Sequence, residues 1–144
     1  MLKNFVSSQK FHLPLIVPLI IGLIFSPFFS RAPVFAAAPS LEGTWNGGGY
    51  VVFAGGSKES ARCRASFKKR GPDSYFVSAR CASASGKVDQ TATLTYVGGS
   101  RFSGSFYNSE FNIDGTFTVT VSGSTQNVYI TSPTGSSATL KLSR

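Results

Sequence analysis

Two cysteines, one histidine and six carboxylates are the side chains of this 144-residue sequence with the greatest potential for catalysis or metal binding. The histidine, His12, lies in an apolar N-terminal segment that we expect to be removed, so the mature chain would contain none. Ser-His-Asp catalysis, Cys-His catalysis and His-ligated metal sites are then excluded. The sequence therefore predicts a protein that is not an enzyme, with no metal and no cofactor.

The carboxylates could in principle form the acidic pair that glycoside hydrolysis requires. None of them falls on a clearly inward-facing position of a predicted strand, so no catalytic pair is predicted. The six residues are Glu42, Glu59, Asp73, Asp89, Glu110 and Asp114.

Basic residues concentrate on one predicted hairpin, and this clustering is the main functional signal of the sequence. They are Arg62, Arg64, Lys68, Lys69, Arg70 and Arg80. Arg64 and Arg80 would face each other across the two strands, and like charges in that position destabilise a strand pair unless an anion or a carboxylate lies between them. Because arginine suits bidentate contact with oxyanions, we predict a patch that binds an anionic envelope component or an acidic protein. The alternative is a solvated face with Glu59 or Asp89 nearby.

Nucleic acid is not an expected partner, because the patch is small and no nucleic-acid-binding motif is present. The segment Trp45-Asn46-Gly47-Gly48-Gly49 could be mistaken for a phosphate-binding loop. It lacks the Lys-Ser/Thr ending and the following helix that such a loop requires. We expect this segment to be the flexible start of the first strand.

The two cysteines lie on the same predicted hairpin as the basic residues. A turn centred on Pro72 places Cys63 opposite Cys81, and both share a phase with apolar neighbours, so the pair would point inward. A structural disulfide is the natural state of such a pair in an exported chain. The alternative is a redox or metal-binding thiol pair, which has neither C-x-x-C spacing nor a histidine in its favour.

The N-terminal region follows the pattern of a secretory signal peptide. Lys3 and Lys10 precede an apolar run over 13–29, and small residues follow at 34–38, with cleavage predicted after Ala36. Residues 1–36 would then be the signal peptide and residues 37–144 a single periplasmic or secreted domain. The alternative is an uncleaved membrane anchor, but the run is interrupted by prolines and is shorter than the roughly 20 residues of a spanning helix. No stable membrane span is expected after cleavage.

Beyond residue 40, alternating apolar and polar residues recur between Gly, Ser and Pro breaks, a pattern typical of antiparallel β-structure. We predict an all-β fold, an eight-stranded antiparallel up-and-down barrel, with a two-sheet β-sandwich as the alternative. Gly104 and Gly115 are expected to mark bends or bulges. The predicted strands are Gly43–Phe53, Glu59–Lys68, Tyr75–Cys81, Lys87–Val97, Arg101–Tyr107, Phe111–Val121, Gln126–Thr131 and Ala138–Ser143.

The interior of such a barrel can be hollow or filled. Inward-facing aromatic residues could line a ligand cavity, although an eight-stranded barrel is narrow enough for side chains to fill it, which is the outcome we expect. These residues are Tyr96, Phe102, Phe106 and Phe117. Trp45 is expected to plug one end, with ligand contact as its alternative role.

Gly43-Thr44-Trp45 and the closing strand Ala138–Arg144 resemble those of avidin-like and lipocalin-like barrels. Arg62-Cys63-Arg64 and Arg80-Cys81-Ala82-Ser83 resemble small exported proteins of rhizobia and related alphaproteobacteria. The first resemblance implies a barrel but not biotin binding, because avidins use further tryptophans and this chain has one. A weaker similarity links the chain to bacterial metalloprotease inhibitors. The expected function is a non-catalytic binding or interaction module of the cell envelope, with a small-ligand carrier or a protein inhibitor as alternatives.

Overall fold

The computed structural model describes residues 30–34 and 37–144. The predicted apolar run and the cleavage position after Ala36 lie outside the described residues. In the part of the chain that the structure describes, no helix is long and apolar enough to cross a membrane. The unit formed by residues 35–144 contains all the strands.

The fold is a closed antiparallel barrel in which each strand pairs with the next and β8 returns to pair with β1. The up-and-down barrel is confirmed, and the alternative sandwich is wrong. The strands are β1 Gly43–Val52, β2 Lys58–Lys69, β3 Ser74–Ser83, β4 Gly86–Gly98, β5 Arg101–Asn108, β6 Ile113–Ser122, β7 Thr125–Thr131 and β8 Ser137–Ser143.

The strand order defines two ends of the barrel. The closed end carries the start of β1, the end of β8 and the turns at 70–73, 99–100 and 123–124. The open end carries the loops at 53–57, 84–85, 109–112 and 132–136. The interior correspondingly has a closed half and an open half.

Side-chain alternation explains why these segments form strands around one core. In β2, Ala61, Cys63, Ala65 and Phe67 are buried, and the basic residues between them are exposed. A period of two places the first set inside the barrel and the second in water.

Phe111 departs from the predicted pattern. β6 begins at Ile113, and Phe111 lies in the preceding loop with 49% of its surface exposed. Its inclusion in the strand was therefore wrong. The adjacent Asn112 has a φ of 50°, which interrupts the extended backbone at this point.

The predicted bulges are also placed differently in the structure. The strand register shifts between Tyr96 and Gly98, whereas the pairing of β5 with β6 is regular through Gly104 and Gly115. A Cβ on Gly115 would lie 2.8 Å from the Phe106 ring, and one on Gly104 would lie 3.1 Å from the Phe117 ring. The atoms nearest to such a Cβ are backbone oxygens, that of Thr93 for Gly104 and that of Thr131 for Gly115. The two glycines therefore allow close approach of a neighbouring strand as well as of the rings.

The disulfide between Cys63 and Cys81 is present, with a Cα–Cα distance of 4.1 Å. The predicted hairpin register is confirmed, because Cys63 pairs with Cys81 and Arg64 with Arg80. Both sulfurs belong to the inner face of the barrel.

A tryptophan fills the closed end. Trp45 is fully buried, and its Nε1 donates a hydrogen bond to the Leu41 carbonyl at 2.8 Å. The Arg144 guanidinium lies 4.4 Å from the centre of the indole ring and donates to the Glu42 carbonyl at 2.8 Å. Trp45 thus occupies the plugging position that the sequence predicted.

Three aromatic rings pack in the closed half of the interior. Phe102 is fully buried, with its ring centre 5.6 Å from that of Tyr75 and 5.4 Å from that of Tyr96. The Tyr96 hydroxyl donates to the Gly99 carbonyl at 2.9 Å. Edge-to-face and tilted ring contacts of this kind favour dense packing.

One buried polar side chain near the closed end has no hydrogen-bond partner. Gln126 of β7 is fully buried between its register neighbours Val121 and Leu142, and neither its Nε2 nor its Oε1 is bonded. Such a group destabilises the folded state relative to an apolar side chain of similar shape.

Candidate functional site

The open half of the interior contains a cavity of about 210 Å³. The residues around it belong to β2–β8 and to the loop at 109–112, and several of those nearest the open end are partly exposed. The expectation of a filled interior therefore holds for the closed half and is wrong for the open half.

Small side chains on three neighbouring strands make the cavity possible. Ala65 of β2 pairs with Ala79 of β3, and Ala92 of β4 lies beside Val77. All four residues line the cavity, together with the disulfide. Where small residues meet on adjacent strands, the side chains opposite them cannot fill the interior.

Larger apolar side chains form the facing wall. The rings of Phe106 and Phe117 lie there with their centres 6.3 Å apart. Of the four aromatic residues predicted to line a cavity, these two do so, and Phe102 and Tyr96 belong to the closed-half core instead. The remaining wall residues on β6–β8 are Ile113, Val119, Val128, Ile130, Leu140 and Leu142.

Two amide side chains among the lining residues are bonded to the protein itself. Gln90 Nε2 donates to the carbonyls of Thr91 at 2.8 Å and Tyr107 at 3.2 Å. Asn108 Nδ2 donates to Gln90 Oε1 at 3.0 Å, and Asn108 Oδ1 accepts from the Phe111 backbone N–H at 3.1 Å. Because these groups are already paired, shape and apolar contact would dominate recognition in the cavity.

Phe111 stands at the mouth of the cavity as both a lining residue and an exposed one. Its loop is held by Asn108 and by the Tyr107 hydroxyl, which donates to Asn112 Oδ1 at 3.0 Å. Sequence reasoning missed this role. Asn108 and Asn112 on either side of the segment were the signal that a turn interrupts the apolar alternation there.

The predicted basic patch divides into two places on the outer surface. Arg62, Arg64 and Arg80 line a groove on the outer face of β1–β4, where Lys87 joins them. Lys68 and Lys69 end β2 near the closed end, and Arg70 follows in the turn, with its guanidinium 5.1 Å from the Phe76 ring. We name the first place the basic groove.

An acidic neighbour lies beside the arginine pair. Arg80 binds Asp89 in a bidentate ion pair, with Nε–Oδ1 at 2.6 Å and Nη2–Oδ2 at 3.0 Å. This contact lowers the pKa of the Asp89 carboxyl and raises that of Arg80. Glu59 does not line the basic groove, and it accepts hydrogen bonds from the Ser85 hydroxyl and N–H. Hydrogen bonding, chiefly from Ser85, lowers the Glu59 pKa.

The residues that the structure describes include no candidate metal site. No group of three or more His, Cys, Asp or Glu side chains there is placed to hold a metal ion.

Comparison with known proteins identifies the architecture. No protein-family model and no curated protein matches the sequence. A redesigned β-barrel, mFAP1, solved bound to DFHBI, superposes with a TM-score of 0.62 at 19% identity, covering 72% of this chain and 94% of that one. A fluorescence-activating β-barrel designed de novo gives 0.58 at 18% identity, covering 75% and 96%. At these identities the likeness shows the shared barrel fold.

Proposed function

We propose that this protein is an exported, non-catalytic carrier that binds a small apolar molecule in the cavity of the open half. The observation that supports this most directly is a space of about 210 Å³ walled almost entirely by apolar side chains. Apolar cavities of this kind gain affinity by removing ligand surface from water.

The size of the cavity limits the ligand. An apolar cavity of about 150 Å³ accommodates benzene, and sites for drug-sized molecules begin at about 300 Å³. A cavity between these values fits one substituted ring or a short acyl chain. A longer ligand would extend past Phe111 into solvent.

The fold and the predicted location agree with this function. Designed barrels of the same fold were solved with DFHBI bound, so the architecture can hold a small molecule. The resemblance to avidin-like and lipocalin-like barrels agrees with ligand binding but stays a prediction. The predicted signal peptide and the disulfide favour a periplasmic or secreted location, where a carrier would meet ligands outside the cytoplasm.

The test fills the cavity and asks whether binding is lost. Indole and octanoate serve as probes for a ring and an acyl chain, and affinity is measured by isothermal titration calorimetry. We expect at least one probe to bind the wild-type protein. Ala92→Phe adds a ring to the inner face of β4 and should abolish that binding.

Thr91→Phe is the matched control, because it adds the same ring at the neighbouring exposed position. It should bind like the wild-type protein, and circular dichroism would confirm that both variants fold. The proposal would be overturned if neither probe binds the wild-type protein, or if Ala92→Phe binds a probe as tightly as the wild-type protein does.

A further inference from the structure

Basic side chains form a row across the outside of the barrel. In the strand register, Lys141 of β8 pairs with Gly48 of β1, Gly48 with Arg62 of β2, Arg62 with Ala82 of β3, and Ala82 with Lys87 of β4. Lys141, Arg62 and Lys87 are exposed. Since neighbouring strands lie about 4.8 Å apart, cations on alternate strands recur at about 10 Å along the row.

The positions between these cations carry little or no side chain. Gly48 and Ala82 separate them, and both belong to the floor of the basic groove. A Cβ on Gly48 would lie 2.6 Å from the Ala61 carbonyl oxygen, so a larger residue would require the backbone of β1 and β2 to move apart. The row therefore alternates cations with shallow gaps.

Positive charge in the basic groove is only partly neutralised. Among the described residues, Arg80 and Asp89 form the one ion pair. Arg62, Arg64 and Lys87 line the same groove outside that pair. Their guanidinium and ammonium groups are free to contact carboxylate or sulfate oxygens of a ligand.

Exposed tyrosines lie in the adjacent row toward the open end. Tyr129 of β7 pairs with Thr139 of β8, which pairs with Tyr50 of β1. The two tyrosines are 54% and 38% exposed, respectively. The Lys58 ammonium lies 3.7 Å from the centre of the Tyr50 ring and covers one of its faces, so a ligand would contact the rest of that ring and the more exposed Tyr129. An exposed ring offers an apolar face for the C–H groups of a sugar and a hydroxyl for its polar groups.

We infer that this outer face binds an acidic polysaccharide. Its carboxylates or sulfates would meet the cations of the row, and its sugar rings would pack on Tyr50 and Tyr129. The cations are spread over five neighbouring strands of an eight-stranded barrel, from β8 through β1 to β4. A flat bilayer would meet only part of such a curved surface, whereas a flexible linear polyanion can follow it.

The experiment measures binding of oligogalacturonate, a chain of uronic acids, with a neutral maltodextrin of equal length as the comparison. We expect the wild-type protein to bind the acidic chain only, with an affinity that falls as salt rises. The triple variant Arg62→Gln/Lys87→Gln/Lys141→Gln should bind at least about tenfold more weakly, because it removes the row while leaving the cavity intact.

The matched control removes the same charge from the closed end, as Lys68→Gln/Lys69→Gln/Arg101→Gln, and should weaken binding by less than about threefold. Tyr50→Ala/Tyr129→Ala keeps the net charge and should also weaken binding. Equal losses in the two triple variants, or no effect of the tyrosine pair, would overturn the inference.

Two more probes separate the polysaccharide from other polyanions. Tighter binding to anionic lipid vesicles or to single-stranded DNA than to oligogalacturonate would also overturn it. The outcome is independent of the cavity proposal, because indole and octanoate binding by the groove variant should equal that of the wild-type protein. Loss of binding at one site with retention at the other identifies which proposal has failed.

Discussion

The closed and open halves of the barrel interior are built on the same strands and the same alternation, yet one is filled and the other is hollow. Phe102 and Phe106 show this within one strand. Phe102 is enclosed by Tyr75 and Tyr96, whereas Phe106 faces a cavity bordered by Ala79 and Ala92. Side-chain volume on β2–β4, and not strand pattern, therefore decides which half of this barrel is hollow.

The largest expected effect comes from removing the same ring in each half. Phe102→Ala should lower the free energy of unfolding by about 3 to 5 kcal/mol, since it opens a void in a fully packed region. Phe106→Ala should lower it by about 1 to 2 kcal/mol, because this ring is only partly buried. Urea denaturation measures both, and equal losses would contradict the comparison.

Removing the disulfide should have the next largest effect. Cys63→Ala/Cys81→Ala should lose about 3 kcal/mol, chiefly because the unfolded chain regains freedom over a separation of 18 residues. Loss of the two sulfur atoms would enlarge the cavity, and the remaining methyl groups would introduce no polar group. Urea denaturation of the oxidised wild-type protein is the reference, and a loss below about 1 kcal/mol would show that this cross-link matters little to the open half.

Two glutamines, one in each half, should respond to substitution by leucine with opposite changes in stability. Gln126→Leu should raise stability by about 1 to 3 kcal/mol, because it removes buried amide atoms that lack partners. Gln90→Leu should lower stability, because it leaves the Tyr107 carbonyl and Asn108 Nδ2 without the bonds that Gln90 makes. Thermal unfolding would compare them, and a destabilised Gln126→Leu variant would mean that its amide is bonded in solution.

The smallest expected effect is a pH dependence arising on the outer surface and the open rim. The pKa values of Asp89 and Glu59 are lowered by Arg80 and by Ser85, respectively. A depressed carboxyl pKa stabilises the folded state at pH values above the carboxyl's unfolded pKa. That contribution disappears as the pH falls through the lower, folded value. Asp89→Asn should flatten the fall in melting temperature between about pH 6 and 2 slightly, and an unchanged profile would contradict this contribution.

Much of the fold was accessible from the sequence because alternation, turn residues and strand length act locally. All eight strands occur within two residues of their predicted ends. The hairpin register followed from the position of Pro72 and the two cysteines, and the structure confirms it. The mistaken strand start at Phe111 and the mistaken bulges at Gly104 and Gly115 arose where a loop residue or a neighbouring strand, and not the local pattern, decides the conformation.

The candidate sites were less accessible because they depend on contacts between distant strands. The cavity follows from the meeting of Ala65, Ala79 and Ala92, which requires the register of three strands. The place of Lys141 in the row of cations required the pairing of β8 with β1. Clustering along the chain grouped Lys68 and Lys69 with Arg62, whereas the barrel separates them along β2.

The pairing of β1 with β8 also shapes how the barrel can assemble. Every other pairing joins strands that are consecutive in sequence, whereas Asn46 of β1 pairs with Ser143 at the other end of the domain's sequence. Until this seam closes, β1 and β8 present unsatisfied strand edges, and its closure spans the longest chain separation of the eight pairings. The β1 edge exposed by an open seam matches β8 of any copy of the chain, so this seam is the pairing at which two molecules could exchange a strand.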